Sequence, residues 1–68
     1  MSATIRINGR DERFAAATIG ELLRARGIEG SRGVAVAVNG VVVPAGAWQE
    51  RALAAGDEVE IVRPFGGG

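Results

Sequence analysis

Val34-Ala35-Val36-Ala37-Val38-Asn39-Gly40-Val41-Val42-Val43-Pro44 spells out two strands and the turn between them. Residues 34–38 alternate valine with alanine. At the two-residue side-chain period of a strand, this puts Val on one face and Ala on the other. A face of such small residues can lie close under a helix. Asn39-Gly40 supplies two residues that tolerate positive φ, as a two-residue type I′ hairpin turn requires. Pro44 has no N–H to give to a ladder and ends the second strand.

The same device occurs nearer the N-terminus. Ala3, Ile5 and Ile7 alternate with Thr4, Arg6 and Asn8, and Asn8-Gly9 repeats the turn signal, so a second strand returns through Arg13-Phe14-Ala15. A helix follows. Thr18-Ile19-Gly20-Glu21 has capping-box spacing, with Thr18 as cap and Glu21 reaching back. Ile19, Leu22 and Leu23 form one apolar stripe. Arg24 and Arg26 suit the negative end of the helix dipole, and Gly27 falls at the left-handed position that closes a helix.

Beyond Pro44, residues 45–53 read as a short crossover anchored by Trp48 and Leu53. We assign both anchors to the core, although a partner-facing position for Trp48 stays open. Gly56-Asp57 makes a turn. Residues 58–63 form the last strand, with Val59 and Ile61 facing inward and Glu58 and Glu60 facing water. The order β-β-α-β-β-β predicts an α+β, ubiquitin-like β-grasp: a mixed four- to five-stranded sheet, one main helix across it, and a flexible C-terminal glycine tail. The expected division is a domain over 1–63 and a tail over 64–68.

Composition narrows the chemistry. The chain has 68 residues, and a domain of this size has little room for a deep catalytic cavity beside its core. Cysteine and histidine are both absent. That removes disulfides, thiolate nucleophiles and the commonest general base and metal ligand. All eight basic residues are arginine and offset eight acids, so net charge argues for no nucleic-acid partner. The longest apolar run, Val34 to Val38, falls far short of the roughly 20 residues that span a bilayer. No membrane partner is expected. Met1-Ser2-Ala3-Thr4 lacks a signal-peptide pattern, which makes the cytoplasm the expected location.

Other motifs fail on context. Gly27, Gly30 and Gly33 follow a helix and precede a strand, the reverse of a phosphate loop, with no Lys-Ser/Thr. Asp57, Glu58 and Glu60 have no evident further ligand and read as a solvated edge that discourages strand pairing. Arg24, Arg26 and Arg32 form a small basic area without interleaved aromatic residues, better read as a solvated helix end. Ser31 has no base to activate it.

The tail is the exception. Pro64-Phe65-Gly66-Gly67-Gly68 could reach roughly 16–18 Å from the domain at 3.3–3.6 Å per residue. With no Cβ on its last residues it is slender enough for a narrow channel. Val62, Pro64 and Phe65 are the candidate partner contacts beside it. For Phe65, packing back onto the domain edge is an equal alternative.

Thr18-Ile19-Gly20-Glu21-Leu22-Leu23, Val36-Ala37-Val38-Asn39-Gly40, Val43-Pro44, Trp48, Leu53, Gly56-Asp57 and the Gly-Gly end together resemble the ThiS-type sulfur carrier proteins of thiamine biosynthesis. The resemblance covers nearly the whole chain. It implies a carrier and co-substrate, not an enzyme. Gly68 would be the covalent site, adenylated and then converted to a thiocarboxylate. Gly67 would thread through the partner's channel, with Gly66 ahead of it at a variable position. The implied partners are an E1-like adenylyltransferase of the ThiF type and a thiazole synthase of the ThiG type. A cysteine desulfurase would be the indirect sulfur source. No cofactor would be bound, and ATP would be used by the partner. Carriers for molybdopterin, cysteine or another sulfur metabolite share fold and tail, and a non-covalent ubiquitin-like binding module is the other alternative.

Overall fold

A computed structural model describes residues 4–13, 17–28, 30 and 32–63. Phe14, Ala15, Ser31 and the whole of 64–68 lie outside the described residues. The elements are β1 (Thr4–Ile7), β2 (Arg10–Arg13), α1 (Ile19–Ala25), β3 (Ala35–Val38), β4 (Val41–Val43), a 3-10 turn (Ala45–Ala47) and β5 (Glu58–Val62). The strands form one five-stranded sheet in the order β2-β1-β5-β3-β4. The last strand thus inserts between the two hairpins, parallel to β1 and antiparallel to β3.

Both hairpins turn as their sequences require. Asn8 and Asn39 each have φ 52°, and Gly9 and Gly40 have φ 85° and 83°. The expected second strand is present, but it starts directly after the turn at Arg10. Its four residues are all charged, so pairing with β1, and no hydrophobic alternation, defines it.

α1 lies on one face of the sheet. Ile19, Leu22 and Leu23 pack with Ile5 and Ile7 of β1, Val36 and Val38 of β3, Val43 of β4, and Val59 and Ile61 of β5. Trp48 and Leu53 join this core, 6% and 7% exposed, as their assignment as anchors anticipated. One expectation is corrected: the valine face of β3, and not the alanine face, lies under the helix. Val36 and Val38 are buried, whereas Ala35 is exposed and Ala37 half-buried. Burying the larger side chains removes more apolar surface from water, at about 25 cal/mol per Å².

Hydrogen bonds define both helix ends. Thr18 Oγ1 accepts the Glu21 N–H at 3.2 Å, and Glu21 Oε1 accepts the Ala17 N–H at 3.0 Å. The N–H groups of Ile19 and Gly20, which have no partner inside the helix, donate to the carbonyls of Arg51 and Trp48 at 3.1 and 2.9 Å. The residues after the 3-10 turn therefore dock on the helix N-terminus. At the other end Gly27, with φ 78°, sends its N–H to Arg24 C=O at 3.0 Å, and Ile28 sends its N–H to Leu23 C=O at 2.9 Å. This bond pair is a Schellman motif. Ile28 is half-buried against the core and supplies the hydrophobic contact that usually accompanies it.

Candidate functional site

Because α1 covers one face of the sheet, the opposite face is open to solvent. Register divides it into two halves of different chemistry. On the β2–β1 side, Arg6 lies opposite both Asp11 and Glu58. Its guanidinium bridges the two carboxylates, Nε to Asp11 Oδ1 at 3.2 Å and Nη1 to Glu58 Oε2 at 3.4 Å. On the β3–β4 side, Ala35 pairs with Val62, and Ala37 sits between Glu60 and Val42. Val62 and Val42 are 63% and 71% exposed. Exposed valines in neighbouring rows, with only small alanines between them, make a shallow apolar area at the end of the last strand.

Val62, the one candidate contact among the described residues, therefore lies in the open one residue before Arg63, where the described chain ends. Pro64 and Phe65, and the tail glycines Gly66, Gly67 and Gly68, lie outside the described residues. Ala35, Ala37 and Val42 extend the apolar area beyond Val62. Strand alternation in 34–38 marks the alanines as sharing a face, but it does not say that this face is the open one. Val42 sits in a run of three valines with no polar residue to break it, so the sequence gives no sign of which valine points outward.

Both turn asparagines reach β5 and hold it in place. Asn8 Nδ2 donates to Ile61 C=O at 3.2 Å, and Asn8 Oδ1 accepts the Ile61 N–H at 2.8 Å. Asn39 Oδ1 accepts the Glu58 N–H at 3.0 Å, while its Nδ2 donates to Asp57 Oδ1 at 3.1 Å. The second oxygen of Asp57 accepts the Ala54 N–H at 2.8 Å. Asp57, weighed in the sequence as a metal ligand, is thus engaged as a structural acceptor, while the Glu58 carboxylate is paired with Arg6. Among the described residues no group of carboxylates is placed to hold a metal ion.

The basic area at the helix end is partly neutralised, since Arg26 Nη1 lies 2.9 Å from Glu12 Oε1 on β2. Gly20, Leu23, Arg24, Ile28, Gly30, Ala45, Trp48 and Gln49 line a groove between α1 and the 3-10 turn. No titratable pair in it suggests catalysis. Among the described residues, no helix is long and apolar enough to cross a membrane.

A helix-backed mixed sheet, open on its far face and with its last strand inserted between two hairpins, defines the ubiquitin-like β-grasp class. The model of the ThiS family matches residues 5–68. Two solved structures are similar over almost the whole chain. One is the crystal structure of a thiamine biosynthesis protein (ThiS) from Geobacter metallireducens, with a TM-score of 0.77 and 29% identity, covering 96% of this chain and 99% of that one. The other is the solution structure of a thiamine biosynthesis protein from the same organism, also with a TM-score of 0.77 and 29% identity, covering 96% of this chain and 87% of that one. No curated protein matches significantly. The chain belongs to the ThiS family, small carrier proteins and not catalysts.

Proposed function

We propose that this chain carries sulfur for the thiazole ring of thiamine, as a thiocarboxylate on Gly68. The observation that carries this reading is the family match, which runs through the glycine end to residue 68. The thiamine branch is favoured over molybdopterin or cysteine carriers by the similarity to thiamine biosynthesis proteins from Geobacter metallireducens.

The chemistry follows from the terminus. An α-carboxyl group has a pKa near 3.3–3.7 and is an anion at neutral pH, hence a poor electrophile. A ThiF-type adenylyltransferase joins it to AMP from ATP and releases pyrophosphate. A persulfide sulfur, originating at a cysteine desulfurase, attacks the acyl carbon and displaces AMP. A partner thiol then reduces the acyl disulfide, leaving –COSH on Gly68, and a ThiG-type thiazole synthase takes the sulfur. This chain contributes no thiol or imidazole to any step, having neither cysteine nor histidine. Its part is to present the terminus, with Gly66 and Gly67 following the partner's channel. Val62, Pro64 and Phe65, with the apolar half of the open sheet face, form the docking contact. A cytoplasmic location goes with this reading.

The test is intact-mass analysis after incubation with a cognate ThiF-type adenylyltransferase and ATP. An AMP adduct is expected, then a net exchange of one oxygen for sulfur once a cysteine desulfurase and cysteine are added. A chain that stays unmodified beside an adenylyltransferase shown to be active would instead be a non-covalent ubiquitin-like module.

A further inference from the structure

We propose that Asn8 is a positioning residue for the carrier reaction. Its side-chain amide supplies the last rung beside β5 and so sets the point at which the chain leaves the sheet toward its acyl terminus. The role assigned to Asn8 rests on the carrier reading; the rung itself rests on geometry alone.

The parallel ladder between β1 and β5 advances two residues per step. The Arg6 N–H donates to Asp57 C=O and the Asn8 N–H to Val59 C=O, each at 2.9 Å. The next carbonyl in this series is Ile61, but β1 has ended at Ile7 and the chain has turned away at Asn8-Gly9. The Asn8 side chain fills the gap. An amide side chain offers the donor and acceptor of a peptide group. Here Nδ2 reaches Ile61 C=O at 3.2 Å and Oδ1 takes the Ile61 N–H at 2.8 Å, in partly buried bonds. On the other side of β5, β3 holds the strand as far as the Ala35–Val62 pair. Past this double grip, Arg63 alone precedes the tail.

Loss of the rung frees one side of β5 at its end. If residues 61–63 then join the tether, it gains up to roughly 10 Å of reach at 3.3–3.6 Å per residue. A longer, looser tether lowers the local concentration of the terminus at a channel that the docked domain already faces. The consequence is weaker productive binding, with the chemical step unchanged.

The fold supplies a matched control. Asn39 also has φ 52°, also precedes a glycine, and also accepts a β5 N–H on its amide oxygen, but at Glu58, where the strand begins. A purely structural role predicts that the two asparagines behave alike.

The experiment compares Asn8→Gly and Asn39→Gly in the full chain, since glycine keeps the positive φ that each turn needs. Hydrogen exchange in the free chain reports the rung, and steady-state adenylation by a cognate ThiF-type enzyme with ATP reports the role. Asn8→Gly is expected to speed exchange of the Ile61 amide about tenfold relative to core amides such as Val36, the effect of losing a typical hydrogen-bond contribution. It should also raise KM for the chain roughly three- to tenfold with kcat unchanged. Asn39→Gly should do neither. Equal KM for both variants, or unchanged Ile61 exchange in Asn8→Gly, overturns the proposal. A wild-type chain that accepts no AMP overturns the carrier reading, and this role with it. A wild-type chain that is adenylated, with Asn8→Gly matching it in KM, overturns the role of Asn8 alone.

Discussion

Trp48 combines two stabilising contributions in one side chain. Its ring is buried with the core, and its Nε1 donates to Val43 C=O at 2.9 Å, so the residue after the 3-10 turn is tied to the end of β4. Trp48→Phe keeps an aromatic ring but removes the donor and leaves a smaller body in the same space. We expect a loss of about 1–3 kcal/mol from the missing bond and the residual void. Urea unfolding followed by circular dichroism measures it, since the substitution removes the only tryptophan. The sequence already assigned Trp48 and Leu53 to the core, because large apolar residues in a short crossover have nowhere else to hide. The Asn8 and Asn39 amide bonds could not be read in the same way. An Asn-Gly pair announces a turn, but which strand receives the amide depends on a segment some fifty residues further along for Asn8 and about twenty for Asn39.

β1, α1, β3 and β4 each end at a stop signal of their own, and α1 shows what such a signal is worth. Gly27 sits at φ 78° with open space around its α-carbon, so an added methyl group meets no neighbour and the cost is purely conformational. Gly27→Ala should therefore destabilise the domain by about 1–2 kcal/mol, the penalty for an L-residue in a left-handed conformation, read as a fall in melting temperature. This capping, both hairpin turns and the identity of the last strand were legible because they are local. β2 was less so: Arg10–Arg13 carries no apolar alternation, and only its neighbour defines it. The facing of β3 is not legible for a related reason, since alternation tells which residues share a face but not which face meets the helix. On the open face, Val62→Glu changes a side chain that is 63% exposed and contributes little to the core. Stability should stay within about 0.5 kcal/mol. If this face docks the adenylyltransferase, KM for adenylation should rise roughly tenfold or more, as for the loss of an interface anchor. Unchanged kinetics would move the contact elsewhere.

At the scale of the whole molecule, the carrier reading assigns stability and reactivity to different parts of one short chain. Deleting Gly67-Gly68 should leave thermal unfolding almost unchanged, because chain ends add little unless tied down, yet it should abolish AMP addition. A marked drop in melting temperature would mean that the end packs into the fold. The ion pairs add little to the balance. Those of Arg6 and Arg26 are all substantially exposed, so each contributes about 0–1 kcal/mol at most. The site was legible in the sequence only as far as its tail, because three consecutive glycines are visible without a fold, whereas the apolar half-face exists only once β5 lies beside β3. The two turn asparagines also govern how the protein ages in storage. Asparagine before glycine is the pairing most prone to lose ammonia, through attack of the glycine nitrogen on the side-chain carbonyl. Here both amides are engaged with β5, so ring closure must wait until the turn lets go. Acidic charge variants should accumulate more slowly in the native protein than in peptides of the same sequence, and their rate becomes a clock for hairpin opening.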